Sequence, residues 1–266
     1  MLEVYFHAGL GKTGTKYLQF DFFPKLKNIN YIPMTKFKKS KEIIKKKGEG
    51  KFLVSRECDE RFEEMLLWFK EDFPDAGIIL VLRRQDEWLY SQFKRMIKNG
   101  RRIKFSELFN FENTGYFKID DLYFYEKIKF VEKNFKKKPL VLIYDELKNN
   151  PERFLDKIAK YVGADYDKSK ISFKKRHSSY GEKELNIFYK LSSRIDLRPR
   201  GFLKKYFIVY PIRYPILYLS KYIPDFLINY KNIFPEKKEL EKIRKFYKED
   251  WNKCINYSLN FSFSSI

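Results

Sequence analysis

Cysteine and histidine are nearly absent from this chain: Cys58 and Cys254 are its thiols, His7 and His177 its imidazoles. Two cysteines cannot build a disulfide framework, and neither stands in metal-ligand spacing, so both read as reduced thiols and no metal site is expected. No apolar run is long enough to span a bilayer. The most apolar stretch, residues 202–228, is broken by Lys204, Lys205, Arg213, Lys221 and three prolines, which excludes a transmembrane helix. Met1-Leu2-Glu3-Val4 lacks the basic and long apolar regions of a signal peptide, which predicts a cytoplasmic protein. Acids are scarce as well: 35 Asp and Glu against 56 Lys and Arg leave a formal charge of +21. That surplus favours anionic partners, whether small ligands, acidic glycans, nucleic acid or lipid headgroups, without choosing among them.

Aromatic side chains are plentiful. With 27 Phe and 20 Tyr in 266 residues, the chain can build a sizeable core and is not disordered despite its charge. Short apolar runs alternate with helical patterns over the first 165 residues, at 2–6, 31–34, 52–55, 78–82 and 140–144. Runs without polar alternation suit strands buried on both faces of a parallel sheet. Residues 58–72 and 120–135 read as crossover helices, and Asn150-Pro151 caps another that Gly163 stops. The predicted fold is α/β, a P-loop-like parallel sheet flanked by helices over residues 1–200, with an aromatic and basic helical extension over 201–266. Within that extension, residues 201–230 suit either packing over the sheet or lying against a membrane surface, and a charged helix is expected over 236–257.

Ligands of open parallel sheets gather beyond the carboxyl ends of the strands. Three polar clusters fall there. After the first strand comes His7-Ala8-Gly9-Leu10-Gly11-Lys12-Thr13-Gly14-Thr15-Lys16, where glycines let backbone N–H groups converge on an anion. The helix predicted over 15–23 aims its positive end at the same place. The loop is not a Walker A motif, because Phe6 stands where that motif requires glycine. Ser55-Arg56-Glu57 follows the third strand. Arg83-Arg84 follows the fourth, and Ser91 lies eight residues beyond Arg83 on the next helix; an Arg and a Ser so placed can share one phosphate.

Over roughly residues 1–165 these segments resemble sulfotransferases that use 3′-phosphoadenosine 5′-phosphosulfate (PAPS), in particular bacterial and glycan-modifying members. The resemblance implies that Gly9, Gly11, Lys12, Thr13, Gly14, Thr15 and Lys16 form the 5′-phosphosulfate loop, with a hydroxyl from Thr13 or Thr15. Lys12 would neutralise the departing phosphate. Arg83 and Ser91 would hold the 3′-phosphate. Glu57 matches the glutamate that serves as base in glycan-type members, with Asp59 and Glu60 as competitors; all three also suit the first turn of a helix. Leu140 to Leu147 and the helix after Asn150 resemble the family's next strand and helix, with an architectural role. Cytosolic members use a histidine base, but His7 precedes the loop and suits a loop-orienting role. The family's Arg-Lys-Gly closing segment has no clear counterpart; residues 174–179 or Arg198-Pro199-Arg200-Gly201 could supply its cations.

Implied partners are PAPS as donor, no metal, and a hydroxyl or amine of an anionic or neutral carbohydrate or glycolipid as acceptor. Arg56, Arg61, Lys94, Lys98, Arg101 and Arg102 would suit an acidic acceptor. No specific nucleic acid is expected, and peripheral contact with the inner face of the membrane is. Two rivals differ in class. A small-molecule kinase would pair the loop with a strand-end Asp for Mg²⁺, where this chain has Arg83-Arg84. A non-enzymatic polyanion or membrane binder would account for the charge, but not for Gly9, Gly11, Lys12, Gly14, Arg83 and Ser91 at strand ends.

Overall fold

The computed structural model describes residues 1–172, 180–192, 198, 201, 204–224 and 233–262. In chain order its elements are β1 (Leu2–His7), α1 (Thr15–Tyr17), β2 (Asn30–Ile32), α2 (Ser40–Lys47), β3 (Gly50–Ser55), α3 (Phe62–Lys70), β4 (Gly77–Leu82), α4 (Gln85–Lys98), α5 (Phe105–Leu108), α6 (Phe124–Asn134), β5 (Leu140–Ile143), α7 (Tyr144–Asn149), α8 (Pro151–Val162), α9 (Glu182–Leu191), α10 (Tyr210–Leu219), α11 (Lys237–Phe246) and α12 (Lys248–Leu259). They fall into two compact units. The first comprises residues 1–84, 123–176 and 247–266, the second residues 85–122 and 177–246.

The first unit holds a five-stranded sheet in the order β2-β3-β1-β4-β5, parallel throughout. All six residues of β4 are buried, as an uninterrupted apolar run in a two-sided parallel sheet should be. On one face Phe6 packs against Phe69 and Phe37, with ring centroids 4.7 and 5.5 Å apart. On the other, Tyr5, Phe22, Phe23 and Leu53 meet the apolar side of α8. The chain leaves β1 toward β2 but leaves β3 toward β4 on the far side of β1. Connections that diverge in this way open a crevice at the carboxyl ends of β1 and β4.

The expected cap and stop of α8 are both present. Arg153 N–H donates to the Asn150 side chain (3.2 Å), and Gly163 closes the helix at φ 56°. Three helices differ from expectation. Residues 15–23 form one α-turn, then a π-helical turn over Leu18–Phe22, and that widening buries Leu18, Gln19 and Phe22 together. The helix expected from 58 begins at Phe62, because residues 56–58 stay paired beside β1. The helix expected over 236–257 breaks at Tyr247, which is 1 % exposed and packs edge-on against Tyr123; one unit gives way to the other there. Asp250, on the second half of that broken helix, accepts from Phe124 and Tyr125 N–H, at 3.0 Å each, and so caps α6.

In the second unit, Phe93 of α4 packs edge-on against Phe105 and Phe234. A π-helical stretch over Lys204–Val209 runs into α10. Val209, Arg213, Leu217 and Ser220 form its buried stripe, at the spacing of one helical face. Among the described residues, no helix is long and apolar enough to cross a membrane.

Candidate functional site

Beyond β1 the chain keeps its neighbours. Ala8 N–H donates to Ile79 C=O (3.1 Å), while Arg56 and Cys58 N–H donate to His7 and Gly9 C=O (3.0 and 3.3 Å). The continuation of β3 thus accompanies the glycine loop. Side chains alternate along it: Ser55 meets His7, and Arg56 turns to the opposite face, its guanidinium 5.4 Å from the Phe37 ring. The same alternation assigns Glu57, half-buried, to the face of Ser55 and His7.

The loop is braced from within. Leu10 C=O accepts the hydroxyls of both Thr13 (2.5 Å) and Thr15 (3.0 Å), and both threonines are buried. Their hydroxyl hydrogens are therefore committed inside the loop rather than turned toward a ligand. What remains for an anion is backbone, including the first-turn N–H groups of α1, which have no carbonyl of their own helix to bond. Gly14 has φ 86° and Lys12 has φ 71°. Left-handed residues in close succession curl the amides inward, as in anion-binding nests. A lysine held in that region stores local strain of the kind found at functional sites. A Cβ on Gly14 would also lie 2.5 Å from Leu147 Cδ2, so a larger residue there would be strained by both φ and packing.

Beneath the loop lies a buried polar chain. His7 Nδ1 and Ser55 Oγ share a hydrogen bond of 2.8 Å, and Gln19 Nε2 donates to the same oxygen (3.0 Å). His7 Nε2 has no partner and faces Gly9, whose Cβ, had it one, would stand 2.4 Å away. Burial pushes the His7 imidazole down to about 3, so at neutral pH it is uncharged and sealed under the backbone. Gln19 was not foreseen from sequence, although a lone glutamine within the apolar stretch 18–23 is a usable signal.

Of the acids after β3, Asp59 fastens the loop: Gly11 N–H donates to its Oδ1 (2.5 Å). Glu60 is exposed, whereas Glu57 is half-buried. At the end of β4 the Arg83 guanidinium lies 5.0 Å from the Tyr144 ring. Cε2 of the same ring would stand 3.4 Å from a Cβ built on Gly14, so Tyr144 lies beside both the loop and Arg83. Sequence reading took Tyr144 as the last residue of a strand; it opens α7 instead.

Ser91 is half-buried on α4, in the second unit. Residues 174–179 lie outside the described residues, as do Pro199 and Arg200; Arg198 and Gly201 are exposed. Several cations considered for an acceptor have other company. Arg61 bonds Glu64 (2.6 Å), and Lys94, Lys98 and Arg101 lie over Tyr90, Tyr180 and Tyr116 at 4.9, 5.3 and 5.5 Å. Among the described residues, no group of three or more His, Cys, Asp or Glu side chains is placed to hold a metal ion. A cavity of about 560 Å³ lies along the outer edge of β5, lined by Asn150, Arg153, Lys157 and Ser258 among others; no loop residue lines it.

No protein-family model matches the chain, and no curated protein matches its sequence. Among the solved structures that resemble it are two sulfotransferases. A mouse sulfotransferase, SULT7A1, complexed with PAP, is 16 % identical, with a TM-score of 0.46 over 96 % of this chain and 85 % of that one. A sulfotransferase from Alicyclobacillus acidocaldarius is 13 % identical, with a TM-score of 0.50 over 72 % of this chain and 93 % of that one. At 13 % identity the likeness is one of fold: the five-stranded parallel sheet flanked by helices is the P-loop-like fold of a sulfotransferase.

Proposed function

We propose that this protein is a sulfotransferase that moves a sulfuryl group from PAPS to a hydroxyl or amine of a carbohydrate or glycolipid. One observation carries the reading: the loop after β1 commits its own threonine hydroxyls to Leu10 C=O and curls through two left-handed residues, Lys12 and Gly14, while one aromatic ring, Tyr144, lies beside both it and the strand-end Arg83. Inward-curled amides, a lysine and a second, separate cation suit a donor with two anionic ends better than one with a metal-bound triphosphate. When bound, PAPS supplies the sulfuryl group and departs as adenosine 3′,5′-bisphosphate.

The chain's own residues then divide the work. The N–H groups of Thr13, Gly14, Thr15 and Lys16 hold the 5′-phosphate against the positive end of α1. Gly9 and Gly11 let the backbone make that approach, and Lys12 lies where negative charge builds as transfer proceeds. Arg83, steadied by Tyr144, pairs with the 3′-phosphate together with Ser91. The Glu57 carboxylate accepts the acceptor's proton, a role worth about 10²–10⁴ in rate.

The test is calorimetric titration with adenosine 3′,5′-bisphosphate, with ATP–Mg²⁺ and AMP as controls, on the native protein, Arg83→Ala and Glu57→Gln. Selective binding should be lost in Arg83→Ala and retained in Glu57→Gln, whose turnover with PAPS should fall about 10²–10⁴-fold. A preference for ATP–Mg²⁺, or no binding at all, would overturn the reading; near-normal turnover by Glu57→Gln would overturn the base assignment alone.

A further inference from the structure

The segment 206–222 turns an apolar face outward. Its buried stripe, Val209, Arg213, Leu217 and Ser220, is at most 2 % exposed. Opposite that stripe, Phe207 is 71 % exposed, Tyr222 64 %, Tyr218 62 %, Leu219 59 % and Ile208 51 %. A surface helix normally turns a polar face outward. A continuous patch of this kind marks an interaction surface.

Tyrosine recurs here at every fourth residue, 206, 210, 214, 218 and 222, a spacing that makes a ridge along one side of a helix. Neighbouring rings meet edge-on, at 5.4 Å for Tyr206 and Tyr210, 5.1 Å for Tyr210 and Tyr214, and 5.7 Å for Tyr218 and Tyr222. The Tyr218 and Tyr222 hydroxyls lie 3.3 Å apart. Such a row is apolar in body and polar at the tip, which suits the boundary between acyl chains and headgroups.

Charge selects the occupant. From Arg198 to Pro224 the sequence contains no Asp or Glu and, besides the buried Arg213, carries Arg198, Arg200, Lys204, Lys205 and Lys221. Exposed aliphatic and phenyl groups beside an acid-free, basic segment suit an anionic lipid surface; a carbohydrate ligand would have no use for Ile208 or Leu219. A helix of 10 residues lies on a bilayer rather than spanning it. We propose that residues 206–222 dock this protein peripherally on anionic membranes, with Phe207, Ile208, Tyr218, Leu219 and Tyr222 entering the interface and Lys221 meeting the headgroups.

Vesicle flotation tests this with the full chain, using phosphatidylcholine vesicles with and without about 30 mol % phosphatidylglycerol, at low salt and at about 0.5 M NaCl, where exposed charges are largely screened. The native protein should float with anionic vesicles and keep part of that binding at high salt. A Phe207→Ser, Tyr218→Ser, Leu219→Ser variant should lose the salt-resistant part by about tenfold or more, and Lys221→Glu should weaken the low-salt part. Equal loss of binding by native protein and triple variant at high salt would mean adsorption by overall charge and overturn the proposal. So would a native dimer that the triple variant dissociates, because a second copy would then cover the ridge. Circular dichroism of the variants separates loss of docking from loss of fold.

Discussion

Loop residues 8–15 and the segment 206–222, the surfaces proposed to meet a nucleotide and a membrane, are built by opposite means. In the loop nearly every side chain is buried, with Lys12 and Gly14 half-buried, and the threonine hydroxyls are turned back onto Leu10; the backbone makes the surface. In the segment the backbone is consumed by helical bonding and a buried stripe holds it down; side chains make the surface. A backbone surface tolerates no change of conformation, because its amides act only while the curl is kept. A side-chain surface can be erased residue by residue while the fold stands.

Gly14→Ala probes the backbone half of this contrast and should have the largest effect on ligand binding. Its φ of 86° and the closeness of Leu147 leave an alanine strained by about 1–3 kcal/mol. Urea unfolding should show that loss, and calorimetry with adenosine 3′,5′-bisphosphate should show affinity down by about 100-fold. Adding Leu147→Ala makes room for the methyl group but leaves φ unchanged. If the double variant regained native affinity, the loop would be limited by packing rather than by backbone conformation, and the contrast would fail on that side.

The buried chain beneath the loop should make the same half sensitive to acid. The folded protein holds His7 neutral down to about pH 3, whereas an unfolded chain protonates it near pH 6.5. As pH falls between those values, the unfolded state binds a proton that the folded state refuses. His7 therefore lowers stability by about 1.4 kcal/mol per pH unit below 6.5, an effect absent above it. Chemical unfolding from pH 7 to 4 should show this slope, and His7→Gln should flatten it. An unchanged slope would mean that other groups set the acid response and that His7 is not the buried weak point of the loop.

Much of this architecture was legible in the chain. The five apolar runs became five parallel strands because β-branched and aromatic residues without polar alternation leave few other options. Asn150-Pro151 and Gly163 marked α8 because caps are local chemistry. The glycine loop was legible for the same reason: Gly9, Gly11 and Gly14 mark close approach and positive φ without knowledge of the rest. What escaped was set by distant partners. Tyr144 became part of the site only because β5 lies beside β4 and brings its ring to Arg83. Asp59, read from the sequence only as a rival base, fastens Gly11, since residues 56–58 stay paired beside β1 instead of starting a helix. The break at Tyr247 was hidden because helical periodicity runs through it, and tertiary contact overrides propensity there. In 206–222, periodicity could not mark the inward face, because that face includes Arg213 and Ser220 while Phe207, Ile208 and Leu219 face outward.

The side-chain half of the contrast predicts the smallest effect. Phe207→Ser and Tyr218→Ser remove groups that are 71 % and 62 % exposed, so each should change unfolding free energy by no more than about 0.5 kcal/mol. Leu217→Ala, one residue before Tyr218 and 1 % exposed, should cost about 2–5 kcal/mol. Urea unfolding of the three variants reads both numbers in one experiment. The gap between adjacent positions is the signature of a displayed surface, because a residue kept for packing and one kept for a partner differ in what their loss does to the isolated chain. If Tyr218→Ser cost as much as Leu217→Ala, the ridge would be part of the protein's own core, and nothing would remain for a membrane to cover.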